Sequence, residues 1–136
     1  MTDIINPYNS GPLNIMVVDD EQDACSLYLQ HFRKEIKDGS LLIHYAPSAE
    51  EALTALNRPS CQNIRLIFSD INMPGMSGLD LLKIIKEKFH QMKVVMVTAY
   101  GTDKYRHNAN ACGADGFFTK PVNFNLVKEY LSQIPA

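Results

Sequence analysis

Ile64-Arg65-Leu66-Ile67-Phe68-Ser69-Asp70-Ile71-Asn72-Met73-Pro74-Gly75-Met76-Ser77-Gly78 is the stretch on which the reading of this 136-residue chain turns. A short apolar run bounded by turn residues suits a strand covered on both faces. The run ends on a carboxylate, Asp70. Pro74-Gly75 is turn chemistry, and Ser77 followed by Asp80 has the spacing of a helix cap. An acid where a buried strand stops is not packing. It lies at the sheet edge where open α/β sheets keep their ligands.

The same grammar recurs on both sides. Upstream, Asn14-Ile15-Met16-Val17-Val18-Asp19 is a short apolar run that ends on Asp19 and Asp20. Ala24, Leu27, Tyr28, Phe32 and Ile36 then recur at helical spacing, and Asp38-Gly39 stops that helix. Leu41 to Tyr45 is a second strand. Ser48 and Glu51 have capping-box spacing for a second helix, with Ala49, Ala52, Leu53 and Leu56 as its apolar face. Downstream, the spacing predicts a third helix over 77–90 with Leu79, Leu82, Ile85 and Phe89 inward. Lys93 to Thr98 is a fourth strand that ends on a hydroxyl. The polar stretch over 101–110 is a weak fourth helix. Asp115 to Thr119 is a short fifth strand that runs into Lys120-Pro121, and Asn123 caps a last helix with Leu126, Val127, Tyr130, Leu131 and Ile134 as its face. Strand and helix thus alternate five times, which predicts a doubly wound parallel sheet with helices on both faces. Residues 1–12 show no periodicity and are expected to be a flexible arm ahead of a single domain, 13–136.

Composition narrows the function classes. Hydrophobic residues make up 46% of the chain, too many for disorder. The formal net charge is −2, and Lys and Arg do not cluster, which argues against direct nucleic-acid binding. Cys25, Cys61 and Cys112 are odd in number and widely spaced, as expected of buried free thiols in a reducing compartment. No apolar run approaches the roughly 20 residues of a membrane span, and no signal peptide is visible. A cytoplasmic protein without membrane contact is expected.

Four strands end on functional side chains: Asp19-Asp20, Asp70, Thr98 and Lys120. Three carboxylates in one cleft repel one another at low dielectric and stay ionised together only around a cation. All-oxygen ligands favour a hard ion, magnesium first and manganese on the same ligands. A dication and the Lys120 ammonium around a carboxylate make a site suited to a phosphoryl group, with Asp70 as nucleophile and Thr98 as hydrogen-bond donor. No Walker-type Gly-rich loop is present, so no bound nucleotide is implied.

Val17-Val18-Asp19-Asp20-Glu21, then Ser69-Asp70-Ile71-Asn72-Met73-Pro74-Gly75-Met76-Ser77-Gly78, then Val97-Thr98-Ala99-Tyr100-Gly101, then Gly113-Ala114-Asp115-Gly116-Phe117-Phe118-Thr119-Lys120-Pro121 resemble, in order and spacing, the signature blocks of two-component response-regulator receiver domains of the CheY-like superfamily. The resemblance implies a flavodoxin-like (βα)5 sheet in the order 2-1-3-4-5. It implies that Asp70 accepts phosphate from a sensor histidine kinase or a histidine phosphotransfer domain. Asp20 and Asp70 would ligate magnesium by side chain, Asn72 by its backbone carbonyl, and Asp19 mainly through a metal-bound water. Lys120 would pair with the phosphoryl group, and the Lys120-Pro121 bond would be cis.

The resemblance also implies a switch in which Thr98 moves toward the phosphoryl group and Phe117 turns inward. That would alter the surface of the fourth and fifth predicted helices and the fifth strand for an unknown downstream protein. Asn72 and Tyr100 would flank the hydrolytic water and tune phosphate lifetime. The implied protein is a signalling phosphoacceptor, not an enzyme beyond its own phosphorylation and dephosphorylation, and it is expected to stand alone. One alternative is a receiver domain cut from a longer regulator with a separate output domain. A more distant one is a magnesium-dependent aspartyl-nucleophile phosphatase, which would need a second Asp where Asn72 stands. A flavin-binding module on the same fold would need a mononucleotide phosphate loop.

Overall fold

The computed structural model describes residues 12–61, 63–99 and 103–134; the N-terminal arm through residue 11, and Tyr100, lie outside the described residues. The strands are β1 (Leu13–Val18), β2 (Leu41–Ala46), β3 (Ile64–Asp70), β4 (Lys93–Thr98) and β5 (Gly116–Thr119). Between and after them run α1 (Gln22–His31), α2 (Arg33–Lys37), α3 (Ala49–Leu56), α4 (Gly78–Lys88), α5 (Asp103–Ala111) and α6 (Phe124–Ser132). All strand pairs are parallel, in the order β2-β1-β3-β4-β5. The parallel sheet is the one expected from the strand–helix alternation, and its order is the one that the family resemblance implies.

Side chains alternate across the sheet with period two. Met16, Ile67 and Met96 enter a core with Ala52, Leu82, Ile85 and Ala109 of α3, α4 and α5. Ile15, Phe68 and Val95 enter a second core with Tyr28, Phe32, Val127 and Leu131 on the α1 and α6 side. Neighbouring Phe117 and Phe118 divide between the two, Phe117 toward the first core and Phe118 toward the second.

Three expectations need correction. The single helix expected through Ala24, Leu27, Tyr28, Phe32 and Ile36 bends at Phe32 (φ −106°, ψ 18°) into α1 and α2. Its backbone bonds continue through the bend, from Phe32 N–H to Tyr28 C=O and from Ile36 N–H to Phe32 C=O. The Phe32 side chain is wholly buried there, so packing overrides the helical period. Leu27 and Leu126, expected on inward faces, are about half exposed (49% and 50%). An apolar stripe is wider than the strip of helix that meets the sheet, and here its centre is Tyr28 on α1 and Val127 and Leu131 on α6. Cys112 is half-buried at the end of α5, while Cys25 and Cys61 are buried.

Among the described residues, three helices begin on side-chain caps. Ser48 Oγ accepts the Glu51 N–H at 3.1 Å, and Ser77 Oγ accepts the Asp80 N–H at 3.1 Å. Asn123 Oδ1 accepts the N–H groups of Asn125 and Leu126 at 3.0 and 3.4 Å, starting α6 just past Lys120. Asn123→Ala is expected to lower unfolding free energy by about 1 kcal/mol in urea titration. An unchanged midpoint would mean that solvent satisfies those donors equally well.

Candidate functional site

Parallel strands present all their carboxyl ends on one edge. Here the edge carries Asp19 and Asp20 after β1, Asp70 at the end of β3, Thr98 at the end of β4 and Lys120 after β5. One carboxylate oxygen from each of Asp19, Asp20 and Asp70 lies within 4.8 Å of the others. Asp19 and Asp70 are buried (4% and 8% exposed), whereas Asp20 is exposed. Lys120 Nζ donates to Asp19 Oδ2 at 2.9 Å and to Asp70 Oδ2 at 3.2 Å. The other oxygens are held by the backbone: Asp19 Oδ1 accepts the Glu21 N–H at 2.9 Å, and Asp70 Oδ1 the Ile71 N–H at 2.7 Å. Each of these two acids is therefore fixed on one side and presents its remaining oxygen to the cation.

The backbone around the cluster is tightly tied. Lys120 N–H donates to Thr98 C=O at 2.9 Å, joining the ends of β4 and β5. The Lys120–Pro121 peptide bond is cis. Gly78 N–H donates to Ile71 C=O at 2.8 Å, which folds the start of α4 back onto the end of β3. Thr98 is wholly buried, and Asn72 is exposed in the loop after Asp70. Met96 pairs with Phe117 and Thr98 with Thr119 in the β4–β5 register, so Thr98 and Phe117 project from the same face of the sheet.

Burial lifts the Asp70 carboxyl above its ordinary value of 3.8; Lys120 and the Ile71 N–H pull it back, and the Asp19 charge adds to the rise. Burial works to lower Lys120, but its bonds to Asp19 and the charges of Asp70 and Asp19 outweigh it, so the ammonium is held above its ordinary value. A carboxyl raised in the folded state binds a proton that the unfolded chain has already lost. Its contribution to stability is complete below about pH 4 and is lost as pH rises through the raised value. In chelator, the melting temperature of Asp70→Asn should therefore match the wild type near pH 4 and exceed it at pH 7. A pH-independent difference would place the cause elsewhere. The donor set of Asp19, Asp20 and Asp70 is all carboxylate oxygen, and one ammonium against three acids leaves the cluster negative, so it fits a hard divalent cation.

The model of the response regulator receiver domain matches residues 15–132. The chain belongs to the response-regulator receiver domain family. It is 32% identical over 129 residues to an uncharacterized 14.6 kDa protein of Leptolyngbya boryana, covering 90% of this chain and 93% of that protein. It is 29% identical over 122 residues to the two-component response regulator PhoP of Pseudomonas aeruginosa, covering 90% of this chain but only 51% of PhoP. Among solved structures, a chain of the CheX–CheY–BeF3–Mg2+ complex from Borrelia burgdorferi superimposes with a TM-score of 0.82 at 27% identity, with 96% of each chain covered. A response regulator receiver protein from Pseudomonas putida gives 0.81 at 22% identity, over 91% of this chain and 98% of that one, which bears on the fold alone. Receiver domains are signalling modules of two-component systems rather than metabolic enzymes, and response regulators work with histidine kinases. Among the described residues, no helix is long and apolar enough to cross a membrane.

Two contacts of this receiver domain escape sequence reasoning. Glu50 Oε2, at the start of α3, accepts the Met76 N–H at 3.1 Å and steadies the loop after Asp70. It occupies the space beside Gly75, whose missing Cβ would lie 2.9 Å from that oxygen. An acid in a first helical turn is already accounted for by the helix dipole, so the sequence carries no signal for this second task. Arg106 on α5 stacks its guanidinium over the Phe117 ring, 4.5 Å from the centroid. From the cluster a groove of about 600 Å³ runs between α1 and α6, walled by Leu27, Tyr28 and Phe124 and floored by Val17, Phe68 and Val97. Asp19, Asp70 and Lys120 line it as well.

Proposed function

We propose that Asp70 of this receiver domain takes up a phosphoryl group from a sensor histidine kinase or a histidine phosphotransfer domain. Asp19, Asp20, Asp70 and the Asn72 backbone carbonyl would hold magnesium, and manganese fits the same ligands. One observation carries this reading: the Lys120 ammonium is seated between two buried carboxylates, 2.9 Å from Asp19 and 3.2 Å from Asp70, beside a three-acid oxygen cluster. Magnesium held by these residues would neutralise the cluster and supply positive charge for the phosphoryl oxygens. The likeness to a complex that contains CheY with BeF3 and Mg2+ supports the same reading.

An Asp70 oxygen forms a bond to phosphorus while the P–N bond of the phosphohistidine breaks, its electron pair leaving on the imidazole nitrogen. Lys120 turns its ammonium from the Asp70 carboxylate to a phosphoryl oxygen. The Thr98 hydroxyl donates to another, and its shift opens space on the face it shares with Phe117. Phe117, which has no hydroxyl to bond elsewhere, turns inward into that space. The phosphoryl group thus biases two packings of the α5–β5–α6 surface, which a separate downstream protein reads. Asn72 and Tyr100 would tune the lifetime of the aspartyl phosphate. Residues 13–136 form the receiver domain and 1–12 its arm, and the protein acts in the cytoplasm.

The test is to incubate the wild type with acetyl phosphate and magnesium and follow intact mass. One phosphoryl group is expected, located on the peptide that contains Asp70, and chelator should prevent it. Absence of uptake, together with no change of the NMR spectrum on adding beryllofluoride and magnesium, would overturn the proposal.

A further inference from the structure

We propose that Arg106 is a positioning residue that holds the Phe117 ring in its half-buried place and so sets how readily Asp70 takes a phosphoryl group. This rests on the switch proposed above and adds to it a restraint particular to this chain. The Arg106 guanidinium lies 4.5 Å from the centre of the Phe117 ring. Among the described residues it joins no ion pair: the four present are Lys86–Asp115, Lys120–Asp19, Lys120–Asp70 and Lys128–Glu35. Arg106 is exposed on α5, and the ring is half-buried against the core around Met96 and Ala109. The ring is thus gripped between a cation on its solvent side and apolar packing on its inner side.

The consequence follows from linkage. Thr98 and Phe117 leave neighbouring strands on the same face, two residues apart in register, and the switch proposed above couples their movements. A ligand that favours the inward ring must break the Arg106 stack, and the free energy of the stack is subtracted from the affinity of the ligand. Removing the guanidinium should therefore strengthen binding at Asp70. A plain charge effect has the opposite sign, because loss of a cation weakens binding of an anion. The two explanations separate on direction alone.

The experiment measures beryllofluoride affinity with saturating magnesium, by calorimetry, for the wild type, Arg106→Met and Arg106→Lys. Arg106→Met should bind about two- to fivefold more tightly, the range an exposed cation–π contact is worth. Arg106→Lys, which keeps a cation within reach of the ring, should fall between. In a Phe117→Leu background, Arg106→Met should change the affinity little, because there is no ring to hold. The Phe117 ring resonances of unliganded Arg106→Met should also shift toward their liganded positions. Equal or weaker binding by Arg106→Met, or the same gain in the Phe117→Leu background, would overturn the proposal while leaving Asp70 as acceptor intact. Failure of the wild type to bind beryllofluoride would instead strike the switch itself.

Discussion

Asp70→Asn is expected to take up no measurable phosphoryl group from acetyl phosphate and magnesium, and to melt a few degrees higher than the wild type at pH 7 in chelator. The two effects share one cause. Asp70 is 8% exposed, and its burial beside the Asp19 charge works against its ionisation. The amide keeps the shape and can still accept the Ile71 N–H, so the local fold is spared. What it loses is the negative oxygen that attacks phosphorus, and with it the unfavourable burial of charge. Binding sites often hold groups that the fold would be steadier without. Mass spectrometry reads the first effect and thermal melting the second. Continued phosphoryl uptake by Asp70→Asn would place the acceptor on another side chain. A lower melting temperature would mean that the ion pair with Lys120 outweighs the burial.

Gly78→Ala is expected to destabilise the protein by about 3 kcal/mol, roughly 10 °C in melting temperature at this chain length. A methyl group on Gly78 would overlap the backbone carbonyl oxygen of Asp70, and would stand 2.8 Å from Asp70 C and 2.9 Å from Ile71 Cα. All three obstacles are backbone, so no side chain can swing aside. The start of α4 would have to lift from the end of β3, breaking the Gly78–Ile71 hydrogen bond. Phosphoryl uptake should fall with stability, because the backbone that the added methyl meets is that of Asp70 and Ile71. Gly39→Ala is the natural comparison. Gly39 has φ +82° but open space around it, so alanine there meets only backbone strain, about 1 kcal/mol. If urea titration gave the two variants similar losses, the close approach of α4 to β3 would not be the controlling contact.

The sheet was legible because its strands are short apolar runs, most of which end on or run straight into polar residues. Asp70, Thr98 and the pair Asp19-Asp20 mark strand ends, and parallel topology then leaves them no place but one edge. The caps Ser48, Ser77 and Asn123 were legible for a similar reason, since a cap depends on neighbours within a few residues. Contacts across the fold were not. The bend at Phe32 comes from burial of one ring, and the exposure of Leu27 and Leu126 from an apolar stripe wider than the strip that meets the sheet. The Glu50–Met76 bond joins residues 26 apart, and Arg106 meets Phe117 from another element. Periodicity reports which face of a helix is apolar, not which side chain reaches across to another element.

Lys120 and Asp19 grip each other from positions 101 residues apart in the chain. No fragment of the protein can therefore carry the pocket, since one jaw of this clasp is near the start and the other near the end. Parting any of the strands from β1 to β5 releases it, so an occupant of the pocket holds shut most of the sheet. Whatever docks there should slow proteolysis at remote loops as well as nearby ones, to a degree set by its concentration relative to its dissociation constant.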